Sequence, residues 1–490
     1  MPPVIILGVF LAYSILLFII AGVTGRKSNN ATYFTGNRNS PWYVVAYGMI
    51  GASLSGVTFI SIPGEVGNSA FSYMVLVLGY LLGYAFIAGV LLPVYYGRNL
   101  TSIYTYLRQR FGNRTYKTGA SFFILSRSIG SSFRVFLVVN VLQIFVFDAW
   151  NLPFILNVGI FMSLILLYTF RGGIKTIVWT DTLQTTFMLA AVVVSSIMIS
   201  RELGLSFTGM IREIESSQYS KMFFTEINEK RHFLKQFVSG AFIAIVMTGL
   251  DQDMMQKNLT CRNLKDAKKN IYLMSWSLIP VNLLFLSLGA MLYIYAEQMG
   301  IAIPERTDDL FPLIALKYHG TFMGIVFLIG LVAAAYSSAD GSLTALTTSF
   351  SIDILGLNEN SLLSEQQRVK TRMAVHIGFA LFLTGLIIFF RAISDESVIN
   401  KLFTIAGYTY GPLLGLFAFG LLTKRIANDR IIPFIAIASP IICYFINEYS
   451  EQLLNGYKFG FELLLLNGFI VFLGVLLVSR RKKQGDSINV

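Results

Sequence analysis

The chain has 490 residues, of which 55% are hydrophobic and only 13% charged; a soluble domain carries about 25% charged residues, so a soluble globular protein is excluded. The formal charge of +12 names no nucleic-acid partner, because the basic residues sit in short loops between apolar runs. Two distant cysteines (Cys261, Cys443) and three scattered histidines (His232, His319, His376) offer no disulfide framework, zinc site or His–Cys catalytic pair.

Thirteen apolar runs come near or exceed the roughly 20 residues that cross a bilayer: 3–25, 41–64, 70–95, 118–147, 152–170, 174–200, 236–256, 270–296, 320–352, 370–391, 398–422, 428–447 and 460–479. They predict an all-α polytopic membrane protein. The first run has no basic n-region and no small-residue cleavage site, and reads as an uncleaved span. The second, Gly48–Pro63, is interrupted by Gly51, Ser53, Ser55, Gly56 and Thr58. The fourth carries Arg127 and Arg134, seven residues apart and so on one face, among Ser126, Ser128, Ser131 and Ser132. An arginine there either grips a carboxylate through its planar fork, snorkels to the interface, or pairs with a buried acid such as Asp181 or Asp340.

The seventh run is interrupted at Ser239-Gly240 and again at Met247-Thr-Gly-Leu-Asp-Gln252, five spans after the second. Paired broken helices in corresponding halves predict an inverted-repeat transporter with a site near the membrane midplane. Unwound backbone there frees carbonyl oxygens for a cation. The alternative is that the small residues only let helices pack closely. In the ninth run Asp340 lies deep in the apolar stretch, with Ser337, Ser338 and Gly341 within a helical turn. A carboxylate is costly there and marks an ion or substrate path, and clustered hydroxyl and carboxylate oxygens suit a hard cation. A small-residue packing face would explain the serines and alanines but not the aspartate.

Basic loop residues orient the chain. One set of alternating loops holds Arg26, Lys27, Arg38, Arg98, Arg108, Arg110, Arg114, Lys117, Arg171, Lys175, Lys257, Arg262, Lys265, Lys268, Lys269, Arg368, Lys370, Arg372, Lys424, Arg425, Arg430 and the tail from Arg480. The opposite set is poorer, and most of its basic residues fall in the 201–235 loop beside glutamates. The N-terminus is therefore expected outside and the C-terminus in the cytoplasm of a plasma or inner membrane.

Three stretches, in order, resemble the sodium:solute symporter family, which includes sodium–sugar, sialic acid, proline and iodide transporters. They are Gly172-Gly-Ile-Lys-Thr-Ile-Val-Trp-Thr-Asp-Thr-Leu-Gln184, Asp251-Gln-Asp-Met-Met-Gln-Lys-Asn-Leu-Thr260 and Ala333-Ala-Ala-Tyr-Ser-Ser338. The resemblance implies a five-plus-five inverted-repeat core with sodium as the coupling ion. It divides the chain into 1–40 (first helix and cytoplasmic loop), 41–200 (first repeat), 201–235 (extracellular loop), 236–425 (second repeat), 426–480 (two peripheral helices) and 481–490 (tail). It implies a sodium site from the carbonyls of Gly51, Leu54 and Ala334 and the hydroxyls of Ser337 and Ser338. Positions 334, 337, 338 and 341 share one helix face, and small residues at 51 and 334 would let the backbones approach.

The same resemblance maps a second cation position to Asp181, Ser337 and Asp340. Relatives carry hydroxyls at 340 and 341, where this chain has aspartate and glycine. Asp181 and Asp340 would then share a cation, or a protonated Asp340 would couple protons, or Asp181 would merely cap a helix end near the cytoplasmic side. Ser53, Ser55 and Thr58 match positions facing solute, and sialic-acid-type relatives use an arginine from the fourth span, at Arg127 or Arg134. Short hydroxyls in place of the amides and acids of sugar carriers disfavour a hexose. The expected function is sodium-coupled import of a small organic solute, a carboxylate such as a sialic acid, by alternating access, with a neutral sugar or other solute as the alternative. The expected partners are that solute and the bilayer, with no obligate protein partner. A membrane transferase lacks a catalytic set, and a sensor lacks a long cytoplasmic domain after the last span, so no enzyme is expected.

Overall fold

The computed structural model describes residues 3–24, 30–359, 362–392 and 398–481. Arg26, Lys27 and the basic tail from residue 482 onward, used above for orientation, lie outside these residues. Helices fill every predicted interval: α1 (Pro3–Thr24), α2 (Trp42–Ser53), α3 (Gly56–Ser69), α4 (Tyr73–Phe86), α5 (Asn113–Leu142), α6 (Phe154–Glu202), α7 (Phe233–Ala244) and α8 (Gln252–Asn258). They continue as α9 (Leu264–Gln298), α10 (Thr321–Ser349), α11 (Glu365–Arg391), α12 (Val398–Leu422), α13 (Ile432–Glu448) and α14 (Leu463–Leu477). Not all thirteen intervals hold a helix long enough to cross alone. Among the described residues, eight helices are long and apolar enough to cross a membrane, nine with α7–α8 taken as one bent pair, and three apolar helices are shorter.

Both predicted breaks are present. α2 stops at Ser53, where the amide of Leu54 turns back to Ile50 O (3.0 Å) and Gly51 O (3.1 Å). Ser55 is extended in ψ (178°), and its carbonyl starts α3 by accepting from Phe59 N at 3.1 Å. α7 runs into a π-helical turn at Ile245–Gly249, and α8 leaves it bent by 69°. Asp251 caps α8, its Oδ1 accepting from Asp253 N (2.9 Å) and Met254 N (3.2 Å), which satisfies amides a helix start leaves unpaired. Ser239-Gly240, by contrast, does not interrupt α7. A Cβ at Gly240 would strike Leu76 O of α4, and those at Gly79 and Gly83 would strike carbonyls of α7. These glycines bring two backbones together, the usual device of helix pairing in lipid.

The fifth and sixth runs are joined in α6 across a kink at Gly173, whose φ of 53° and close contact with Tyr33 require glycine. Both halves of α6, together with α5, hold α10, which is buried along nearly its whole length. At the C-terminal side Asn467 of α14 donates to Gly407 O (3.0 Å) and Tyr408 O (2.8 Å) of α12 and accepts from Ser439 of α13 (2.5 Å), tying the three helices together.

The space beside Gly51 is taken by α6. The missing side chain of Gly51 faces Thr185 of α6, with Thr185 Cα 3.1 Å from where a Cβ would stand. Gly51→Ala gains up to about 1 kcal/mol of helix propensity but forces two backbones apart. The steric loss of about 1–3 kcal/mol wins, so a lower melting temperature is expected for the purified variant; an unchanged one would mean α2 and α6 do not touch there.

Candidate functional site

The two breaks face each other across a cavity of about 80 Å³. Ser53, Ser55 and Thr58 line it from the first break, Arg127 and Arg134 from α5, and Thr248 from the second break. All five residues expected to meet solute are thus brought to one place. Tyr84 and Asn282 add polar groups that sequence reasoning missed. A larger vestibule of about 810 Å³ shares Tyr73 and Phe403 with the cavity and is lined beyond them by Glu65, Lys230, Arg231 and Lys458.

The two arginines are not alike. Arg127 forms ion pairs with Asp253 and with Asp251 (3.5 Å), and its Nε donates to Ser342 Oγ at 2.9 Å. It is 4% exposed, so it does not snorkel, and its partners are not Asp181 or Asp340. Asp251 is also held by the Tyr410 hydroxyl at 2.5 Å. Arg134 is buried as well, but its Nε finds no hydrogen-bond acceptor, and among the described residues no carboxylate lies within ion-pair distance of it. One arginine is paired to acids of the scaffold; the other has no acidic partner among the described residues.

The first break abuts α10: a Cβ on Gly56 would stand 4.0 Å from Ala335 N. Ser338 Oγ donates to Ala334 O at 3.0 Å within α10. Ser337, its neighbour, points instead to α6 and donates to Asp181 Oδ1 at 2.9 Å. Gly51 O already accepts from Leu54 N (3.1 Å), and Leu54 is buried.

Asp181 lies inside α6 rather than at its end, so it is no helix cap. Its Oδ2 meets Lys257 Nζ at 2.9 Å, and Lys257 also reaches Asp253 Oδ1 at 3.5 Å. Lys257 is 1% exposed and therefore not the loop cation it was counted as; Arg110, which donates to Gly420 O, Thr423 O and Arg425 O, is buried too. Asp340 is fully buried and does not face lipid. It accepts from Tyr168 Oη (2.7 Å) and Gln184 Nε2 (3.4 Å), separate partners from those of Asp181. Asp253 and Lys257, four residues apart at the end of the seventh apolar run, were the signal for this network that the loop count concealed.

The family description "Sodium:solute symporter family" matches residues 33–430. The chain belongs to the sodium:solute symporter family. It is similar to the sodium/sialic acid symporter of Proteus mirabilis, 24% identical over 470 residues and 92% of each chain. It is also 26% identical over 426 residues to sodium-coupled monocarboxylate transporter 2 of Bos taurus, covering 83% of this chain and 67% of that one. Its fold matches a solved sodium-coupled sialic acid symporter in a substrate-bound outward-open state, with a TM-score of 0.83 at 22% identity over 98% of this chain and 99% of that one. The symporter therefore has the inverted-repeat transporter fold its broken helices predicted. It is a multi-pass membrane carrier coupled to sodium, not an enzyme.

Proposed function

We propose that the symporter imports a small carboxylate with sodium by alternating access. The observation that carries this is Arg134, a buried guanidinium with no acidic partner among the described residues, at a cavity edged by Ser53, Ser55 and Thr58. An unpaired buried cation costs several kcal/mol; a carboxylate entering the cavity recovers that through two parallel charge-assisted hydrogen bonds. The relatives' named solutes, sialic acid and monocarboxylates, are both carboxylates. A sialic acid follows from the more extensive likeness. The cavity of about 80 Å³ favours a second reading, a short monocarboxylate; a nine-carbon acid sugar needs Tyr73 and Phe403 to part so that the cavity joins the vestibule.

Sodium binds among the carbonyls of Gly51, Leu54 and Ala334 and the hydroxyls of Ser337 and Ser338. It ties the first break to α10 and so favours the solute-ready form over the other, which is the differential affinity that coupling requires. The two repeats are 41–200 and 236–425, flanked by 1–40, the 201–235 loop, the 426–480 pair and the 481–490 tail. The N-terminus lies outside and the C-terminus in the cytoplasm, as the basic loops favour, with the vestibule on the outer side.

The test is uptake into proteoliposomes under an inward sodium gradient, comparing the protein with Ser337→Ala plus Ser338→Ala. Ser338 makes only a bond within its own helix, Ser337 gives up one bond to Asp181, which keeps Lys257, and alanine suits a helix, so the variant should fold with a modest loss of stability. Loss of two oxygen ligands should weaken apparent sodium affinity by about tenfold or more. Unchanged sodium dependence would put the site elsewhere.

A further inference from the structure

Lys257 sits against Asp181, the acid to which a second cation position was mapped. Its ammonium meets Asp181 Oδ2 at 2.9 Å and Asp253 Oδ1 at 3.5 Å, while Ser337 Oγ fills Asp181 Oδ1 at 2.9 Å. Both oxygens of Asp181 are thus engaged, one by a hydroxyl and one by a full positive charge. Position 341 makes this possible. A Cβ there would come 2.6 Å from Asp253 Oδ1 and 2.8 Å from Lys257 Nζ. Any side chain at 341, such as a ligating hydroxyl, would compete with the ammonium for the same space. The bend between α7 and α8 supplies the direction, since it turns α8 so that Lys257 is buried against α6 and α10 rather than exposed at the membrane surface.

An ammonium and a sodium ion present the same unit charge to these oxygens, but the ammonium is covalently held. We propose that Lys257 is a tethered cation occupying the position bounded by Asp181, Ser337 and Asp253, so that one sodium ion rather than two is exchanged in each cycle. This rests on the sodium reading above and adds the stoichiometry. Paired with a monovalent carboxylate, one sodium makes the cycle neutral in charge.

The test needs no solute. Full-length protein is purified in detergent with choline in place of sodium, and its melting temperature is followed as sodium chloride is added, with choline chloride keeping ionic strength constant. The unmodified protein should be stabilised with a Hill slope of about 1. Lys257→Met should melt lower without sodium, because Asp181 loses its ammonium partner and Asp253 is left with Arg127 alone. It should be rescued by sodium with a slope above about 1, as a second ion takes the vacated seat. Adding Asp181→Asn should abolish the second sodium response while raising the sodium-free melting temperature. The proposal is overturned if Lys257→Met titrates like the unmodified protein, or if saturating sodium cannot recover it. It is also overturned if the unmodified protein already shows a slope near about 2 that Asp181→Asn lowers. No sodium stabilisation of the unmodified protein at all would bring down the sodium reading itself, and this inference with it.

Discussion

Arg127→Leu is expected to cost a large share of the protein's stability. The guanidinium is buried between Asp251 and Asp253 and also donates to Ser342. Removing one partner of such a pair leaves uncompensated charge in a medium that solvates it poorly, a loss of about 3–5 kcal/mol. Folded proteins have only about 5–15 kcal/mol in total. The variant should therefore give little monodisperse protein in detergent and a strongly lowered melting temperature. Arg127→Leu combined with Asp253→Asn removes one stranded charge together with its partner and should regain part of the loss. If the single variant is as stable as the parent, the arginine is not structural and belongs to the solute.

Arg134 should behave in the opposite way. Among the described residues it has no acidic partner to strand, so Arg134→Leu should leave the melting temperature of the solute-free protein unchanged or raise it. Solute binding should fall by about 2–5 kcal/mol, at least about 30-fold. Arg134→Lys keeps the charge but not the fork, and should fall between the two. The decisive readout is binding and stability measured on the same samples. Joint loss of both would mark Arg134 as a scaffold residue like Arg127.

These two arginines also show how far the sequence could be read. Their shared face and their apolar setting were legible, because a helix repeats its directions every few residues whatever surrounds it. Which of them was paired was not legible, since the partners Asp251 and Asp253 arrive from a helix more than a hundred residues away. The breaks at 53–56 and 249–252 could be read from glycine and serine in the middle of apolar runs. Ser239-Gly240 carried the same composition yet stays helical, because its small side chains serve the contact with α4. Asp340 gave itself away as an acid in an apolar run, whereas Lys257 near the end of a run looked like an ordinary loop lysine. Only the bend into α8 reveals that it is buried.

The most direct measurement is a thermal-shift comparison of the detergent-purified protein with carboxylates, neutral sugars, amino acids and inorganic anions, each in sodium and in choline. A sodium-coupled carboxylate carrier is stabilised by N-acetylneuraminic acid or a short monocarboxylate in sodium, much less in choline, and not when Arg134 is replaced by leucine. Stabilisation by a neutral sugar or polyol that survives Arg134→Leu, or by a carboxylate equally well without sodium, would contradict it.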